Sequence, residues 1–581
     1  MERIWSGRAL SIGLLSAAFA YLIAAGCPRE VLSLPVRVSQ PSAGGALDAD
    51  ILFARPNGNG SVVLLLTAAS NLVEGDRNGK SDVYVVDANT LAAERISVSF
   101  LGRDANDGSF PGVLADDGLL VVFGSAATNL VTGDFNHTPD LFLFDRTTRR
   151  TFPLTLANEG LGGGTVPDLP PAVSPDARWI AFASQADDLV ENDRNEASDV
   201  FVLDRESGTL TVMTMTALGA TEVRTANGAS AGPAISTDGC VVAFFSDATN
   251  LVERDRNEAR DVFVRDRCNN SIERASVASD GSEANGPSQA ELATLALSGD
   301  GRFVAFASRA TNLDGDTGGR SQVFIRDRLQ GTTRLGSRNQ AGDVANAPSV
   351  APALDRDGRF LVFQSSASNL STDDPWPGED VFVVDLTDGE VQLVSKPSDG
   401  GSADGDSFSP SISADGSHIV FLSKARLIPT DTDSRIDAYL VANPMFGKPP
   451  AGGTPTPTPD EEPTATPSST ATWSPSATAV TPTEPSPTST SVPPTVTGTP
   501  SSTSSPTPPS PTNTVNPTSA ATATSTTAAP TPSPTRPAGG GGDGCSCRVD
   551  PNTGKPAPAP ISPLVLLPVA LLAWRRRLRQ R

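Results

Sequence analysis

"ATNLVERDRNEARDVFVRDR", Ala248 to Arg267, sets an acid-rich loop directly against an apolar alternation. Asp255, Asn257 and Asp261 are spaced like oxygen ligands around a calcium ion, and equally like turn residues ahead of a strand. The stretch recurs as "ASNLVEGDRNGKSDVYVVD" from Ala69, "ATNLVTGDFNHTPDLFLFD" from Ala127 and "ADDLVENDRNEASDVFVLD" from Ala186. Weaker copies are "ATNLDGDTGGRSQVFIRDR" from Ala310, "ASNLSTDDPWPGEDVFVVD" from Ala367 and the most divergent, "ARLIPTDTDSRIDAYLVA" from Ala425. With the opening copy they make seven, at a period of roughly 60 residues.

Each repeat reads as four short strands. A turn and an apolar run precede the loop, as in "STDGCVVAFFS", "SGDGRFVAFAS" and "DRDGRFLVFQS". Asp-Gly marks a tight hairpin, because glycine accepts positive φ and aspartate bonds its own backbone. The run after it is nearly all Val, Ala and Phe, which suits a strand buried on both faces. A third strand such as "DVFVRDR" and a fourth such as "SIERASV" follow. Connectors holding Ala105-Asn106, Ala226-Asn227, Ala284-Asn285, Ala345-Asn346 and Ala403-Asp404 lead on to the next unit.

Four-stranded units arranged around an axis describe an all-β, closed seven-bladed β-propeller. The seventh copy stops without a fourth strand, and "LPVRVSQPSAGGALDAD" from Leu34 matches the missing piece. One blade is therefore expected to form from both ends of residues 34–443, a non-covalent clasp that removes the open edges. Pairing Ser246 with Val262 across the loop places Cys240 opposite Cys268 and predicts a disulfide there.

The repeats resemble those of TolB-like propellers of secreted bacterial proteins, over about residues 34 to 443. That resemblance implies a fold and a habit of binding other macromolecules, not a reaction; the best-known member has six blades rather than seven.

The flanks set the context. Arg3 and Arg8 precede an apolar run from Ala9 to Ala25 and then "AAGC", so residues 1–27 read as a secretory signal. Its end at Cys27 resembles a lipoprotein signal, with Ala24 where leucine is usual; plain cleavage nearby is the alternative. Residues 448–538 are almost only Pro, Thr, Ser and Ala, which cannot bury enough apolar surface to fold. Proline biases such a stalk to extended polyproline II, at most about 280 Å long. Residues 539–581 run "GGGGDGCSC", a spacer, the short apolar helix "ISPLVLLPVALLAW" and "RRRLRQR". This tail is similar to the MYXO and GlyGly sorting signals of Gram-negative bacteria, which implies cleavage near Cys545 and attachment at the cell surface; a plain membrane anchor is the alternative. The five cysteines, Cys27, Cys240, Cys268, Cys545 and Cys547, show no zinc-ribbon spacing.

A formal charge of −22 argues against nucleic acid as partner, and 5% aromatics weakens a sugar- or base-stacking reading. "GASAG", Gly228 to Gly232, matches the serine-hydrolase elbow, but it reads as a connector with no helix after it. His137 and His418 fall in a loop and at a strand start, and Tyr84 and Tyr439 stand where other copies have phenylalanine, which reads as core. The Asp-Arg pairs after the third strands (Asp204-Arg205, Asp266-Arg267, Asp327-Arg328) are expected to close turns and pair across blades.

The expectation is therefore no catalytic site and no certain cofactor. A stalked, monomeric propeller would bind an unidentified protein or peptide, anchored to the membrane through its C-terminal segment in the bacterial envelope. The alternatives are an envelope structural component or an enzyme using the channel. Trp376, at the asparagine position of the sixth loop, is a candidate partner contact beside the alternative of a packed loop.

Five loops carry D-x-[ND]-x-x-x-D: Asp76/Asn78/Asp82, Asp134/Asn136/Asp140, Asp193/Asn195/Asp199, Asp255/Asn257/Asp261 and Asp431/Asp433/Asp437. The fifth copy has Gly318 and Gln322 at two of the positions, and in the sixth Trp376 interrupts Asp374 and Asp380. These loops resemble shortened calcium loops of integrin-type propellers, lacking the central acid and glycine. Two readings stay open: weak structural calcium, or hydrogen-bonded Asx-turns, the second preferred.

Overall fold

Strands in this chain are short because each apolar run of about six residues is bounded by Asp-Gly or Asx turns on both sides. The computed structural model describes residues 34–448 apart from 156–168, 187–188, 191–194, 196, 217–224, 289–293 and 375–376. The described strands form seven four-stranded antiparallel sheets. Blade 1 is built from Ile51–Pro56, Val62–Thr67, Asp82–Asp87 and Ala93–Arg95, inner to outer. Blades 2 to 6 repeat that order, beginning at Ser109, Ala172, Ser230, Leu295 and Ser349.

Blade 7 is the clasp. Ser407–Ile412, His418–Ser423 and Asp437–Ala442 come from one end of the propeller sequence, and Val36–Arg37 from the other. Val36 faces Leu440 and Arg37 faces Tyr439. The clasp matches the expectation from the unfinished seventh repeat.

The core is a ring. Seven apolar clusters lie one at each junction between neighbouring blades; Leu64 and Val85 of blade 1, for instance, join Phe123 and Phe142 of blade 2. The central strands are buried on both faces for this reason, and their cross-strand rings pair at 5.7 to 6.1 Å, as in Phe182–Phe201 and Phe244–Phe263.

Cys240 and Cys268 are joined by a disulfide, with their Cα atoms 5.3 Å apart. The register is one residue off the expected one: Ser246 faces Asp261, so Cys240 stands diagonal to Cys268 rather than opposite. The bridge reaches because it lies beyond the last ladder pair, Val241–Asp266, where the strands are free to close.

The signal, stalk and tail expectations, together with Asp193 and Trp376, lie outside the described residues. Among the described residues no helix is long and apolar enough to cross a membrane.

Candidate functional site: the two faces of the propeller

The inner hairpins and the third-to-fourth turns share one face, and the acidic loops share the other with the connectors. On the turn face the hairpin tips are hydrogen-bonded from blade to blade: Gly58 N to Asp116 O, Asp116 N to Pro175 O, Thr237 N to Gly299 O, Gly299 N to Arg356 O, Arg356 N to Ala414 O, and Asp415 N to Gly58 O. The ring lacks its link from blade 3 to blade 4, where the donor position is Pro175, which has no N–H. Arg356 of blade 6 forms an ion pair with Asp116 of blade 2. Those blades are not neighbours, so the pair spans the axis and obstructs the channel at this end. Gly299 permits it, since a Cβ there would lie 2.4 Å from Arg356 Cγ.

The described propeller both begins and ends at this turn face. The third strand of blade 7 ends there, and Lys448 is tied to blade 6 by Arg359 Nη2 donating to its carbonyl (2.6 Å) and by its own Nζ on Glu390 (2.6 Å).

On the loop face the Thr-Asn of each "ATNL" latches the connector beside it. Asn106 Nδ2 donates to Thr128 Oγ1 (2.8 Å), Thr128 N to Asn106 Oδ1 (2.9 Å) and Asn129 Nδ2 to Asp104 O (3.1 Å). Asn227, Asn285 and Asn346 repeat the latch. These bonds account for the Ala-Asn connectors and the "TN" of the motif together.

The acidic loops are more varied than their motif. The asparagine behaves alike in four blades: Asn78, Asn136, Asn195 and Asn257 donate to Asp82, Asp140, Asp199 and Asp261 at 2.7 to 2.9 Å. Its oxygen accepts a backbone N–H two residues on, an Asx-turn, as from Lys80 to Asn78 at 2.9 Å. The final aspartate is buried and also accepts from a Ser or Thr two residues past the fourth strand, such as Ser39 on Asp437 or Thr155 on Asp140.

Charge compensation is where the blades part. In blade 1, Arg95 Nη1 lies 2.9 Å from Asp76 and 3.6 Å from Asp82. In blade 4, Arg274 Nη1 lies 3.0 Å from Asp255 and 3.2 Å from Asp261. In blade 7 the clasp strand supplies Arg37, 3.5 Å from both Asp431 and Asp437. One guanidinium thus sits between each carboxylate pair. Tyr84 and Tyr439 add their hydroxyls to Asp76 and Asp431, so these two are core residues with a polar duty at the tip. Asp431, Asp433 and Asp437 bring three carboxylates within 4.8 Å of one another.

The arginine position faces the ring of the third strand, as Arg95 faces Tyr84 and Arg274 faces Phe263. The same position holds Pro153 in blade 2, Val212 in blade 3, Leu335 in blade 5 and Leu393 in blade 6. Blade 5 has lost the charge as well: Gln322 replaces the final aspartate, accepts from Ser337 (2.6 Å) and donates to the carbonyls of Ala345 and Ala347. In blade 6, burial pushes the Asp380 carboxyl up to about 8, and neighbouring Asp374 adds to the rise. A cavity of about 340 Å³ opens beside it, lined by Asp373, Asp374, Asp380, Leu393, Ser395 and Lys396 among others. Burial pushes Asp82 and Asp437 up less far, to about 6, with arginine nearby pulling back.

The remaining sequence candidates fall into the repeat. Ser230 begins the inner strand of blade 4 rather than lying in a connector, and its buried hydroxyl donates to Ser246 (2.8 Å). Ser109–Ser125 and Ser349–Ser365 make the same pair, so the "GASAG" serine is a repeat position. His418 Nδ1 meets Ser417 Oγ at 2.7 Å at a strand start, and His137 is exposed in its loop with φ of 57°. Of the Asp-Arg pairs, the aspartate stays in its own blade (Asp204 on Arg178, Asp327 on Arg302); Arg205 stays in its blade too, on the carbonyl of Ala177 (2.9 Å), while Arg267 and Arg328 cross to the preceding one. Arg328 reaches Glu273, and Arg267 stacks 3.7 Å over Trp179.

The neutralising arginines were missed from sequence. Their signal is an arginine 13 residues after the final aspartate in two repeats, displaced to the far end of the chain in the third.

No protein-family model matches the chain, and no curated protein matches it. Among solved structures it is similar to an oligogalacturonate lyase of Vibrio parahaemolyticus (13% identity, 70% of this chain and 93% of that one, TM-score 0.42). It is also similar to the β-propeller domain of the Trilobed protease of Pyrococcus furiosus (10%, 68% and 95%, TM-score 0.41) and to TolB of Acinetobacter baumannii (14%, 67% and 73%, TM-score 0.30). The assignment of the fold rests on the strand pairing of the chain itself, seven closed four-stranded blades.

Proposed function

We propose that the chain is a non-enzymatic binding scaffold of the bacterial envelope, which holds a protein or peptide partner on its loop face. The observation that carries this reading is the polarity of the propeller. The described propeller begins and ends at the turn face, whose channel mouth is crossed by Asp116 and Arg356. The described propeller therefore ends, at Lys448, on the side away from the acidic loop face. Among the described residues that face exposes a cluster of large apolar side chains, Phe100 (54%) and Leu101 (65%) of a connector and Phe135 (80%) of the loop to which Phe100 N is bonded through Asn129 O, with Leu52 (56%) apart from them at the start of an inner strand. Exposed aromatic groups rimmed by charge are the usual anchors of protein interfaces. In this reading export, the stalk and the tail anchor serve display at the cell surface.

A photo-crosslinking residue placed at Phe135, and separately at Leu119 on the turn face, tests it in intact cells. A discrete protein adduct is expected from position 135 alone. Equal adducts from both positions, or none from either, would count against the loop face as the binding surface.

A further inference from the structure

Blade 2 keeps both loop carboxylates but lacks the arginine of blades 1, 4 and 7 and the tyrosine of blades 1 and 7, which leaves Asp134 only the Asn136 N–H and the nearby His137. Asp134 and Asp140 stand where blades 1, 4 and 7 hold a carboxylate pair one guanidinium nitrogen apart. In blade 2 the arginine position is Pro153, and the tyrosine whose hydroxyl serves Asp76 and Asp431 is Phe142. Asp140 is satisfied by neutral donors alone, Asn136 Nδ2 at 2.7 Å and Thr155 Oγ1 at 2.8 Å. Asp134 is only 5% exposed, and its Oδ1 is buried with no hydrogen-bond partner. A carboxylate buried in this way is strongly disfavoured unless a cation or a proton meets it.

We propose that blade 2 binds a divalent cation of the calcium class between Asp134 and Asp140, in the place that an arginine fills in blades 1, 4 and 7. The donors are hard oxygens, which excludes a preference for zinc or copper. Calcium tolerates irregular shells and completes them with water and loop carbonyls, whereas magnesium demands near-ideal octahedra. With two anionic ligands the site is weak, in the range of about 10⁻⁴ to 10⁻³ M typical of extracellular modules. The assignment narrows the five-loop expectation: loops that carry their own guanidinium already hold a cation.

Equilibrium dialysis of the full-length protein against radioactive calcium tests this, up to roughly 10 mM free ion. Wild type is expected to bind calcium, and Asp134→Asn to bind one ion fewer per chain. Pro153→Arg writes into blade 2 the arginine of blades 1 and 4; it is expected to stay folded by circular dichroism and also to lose one ion. Wild type binding none overturns the proposal, and so does a folded Pro153→Arg protein that binds as much as wild type. Should Pro153→Arg fail to fold, Asp134→Asn decides alone, and unchanged binding there overturns the proposal.

Discussion

At Asp380, a single carboxyl sets a pH dependence for the whole domain. Its folded pKa, near 8, lies above the ordinary value of 3.8, with burial as the main cause and Asp374 and Asp406 adding to it. Between those two values the native chain holds a proton that the unfolded chain releases, so stability falls as pH rises from about 4 to about 8. Thermal unfolding of wild type across that window is expected to show the slope, on the order of 1 kcal/mol per pH unit at its steepest. Asp380→Asn should flatten the part between about pH 6 and 8, since Asp82, Asp355 and Asp437, raised to about 6, keep a slope of the same sign below it; an unchanged profile there would remove the assignment. Another residue-scale expectation concerns Cys240 and Cys268, which close a segment of sequence separation 28. Replacing both by serine is expected to cost about 2–4 kcal/mol in denaturant unfolding, and non-reduced peptide mapping should recover the linked pair.

The outer strand of blade 7 carries two jobs in two residues. Val36 and Arg37 complete the sheet, and Arg37 also meets Asp431 and Asp437, while Ser39 Oγ donates to Asp437 and accepts from Ala438 N. Arg37→Leu leaves two buried carboxylates with neutral donors but no counter-charge and is expected to destabilise by about 3–5 kcal/mol. Adding Asp437→Gln, the residue blade 5 uses at that place, should return roughly 1 kcal/mol or more as a coupling term in a double-mutant cycle. Strict additivity would show that Arg37 does not act through Asp437. Deleting residues 28–40 removes strand and cation together, and aggregation is the expected result, read by light scattering. The clasp was legible because a seven-fold period makes a missing fourth strand visible, and "LPVRVSQ" carries the pattern that fills it. The disulfide partners were legible too, though not their register, since a shift of one leaves the apolar character of a strand buried on both faces unchanged. The division of the acidic loops was not legible. Asp76, Asp134 and Asp255 look alike in sequence, and what separates them is a fourth-strand residue whose facing partner only the ladder identifies.

The molecule as a whole is a ring of seven similar junctions, each filled by an apolar cluster, so stability is spread around it rather than concentrated in one core. Only the junctions beside blade 7 depend on the chain's two ends meeting, and that has a mechanical side. Val36 pairs with Leu440 in an antiparallel register, so both termini exit at the same end of the pair. A pull that separates them would peel the clasp bond by bond, as a zipper opens, instead of shearing all its bonds at once. Tension entering from the C-terminal side alone meets a different path: it passes first through Arg359 and Glu390 on Lys448, then along a strand bonded on both edges. Single-molecule stretching between residues 34 and 448 should therefore open blade 7 first and at low force, whereas a tether held only at residue 448 should leave it shut. A propeller of this kind dragged by its surroundings is safest on one leash: the fold resists load from one side while yielding to load from two.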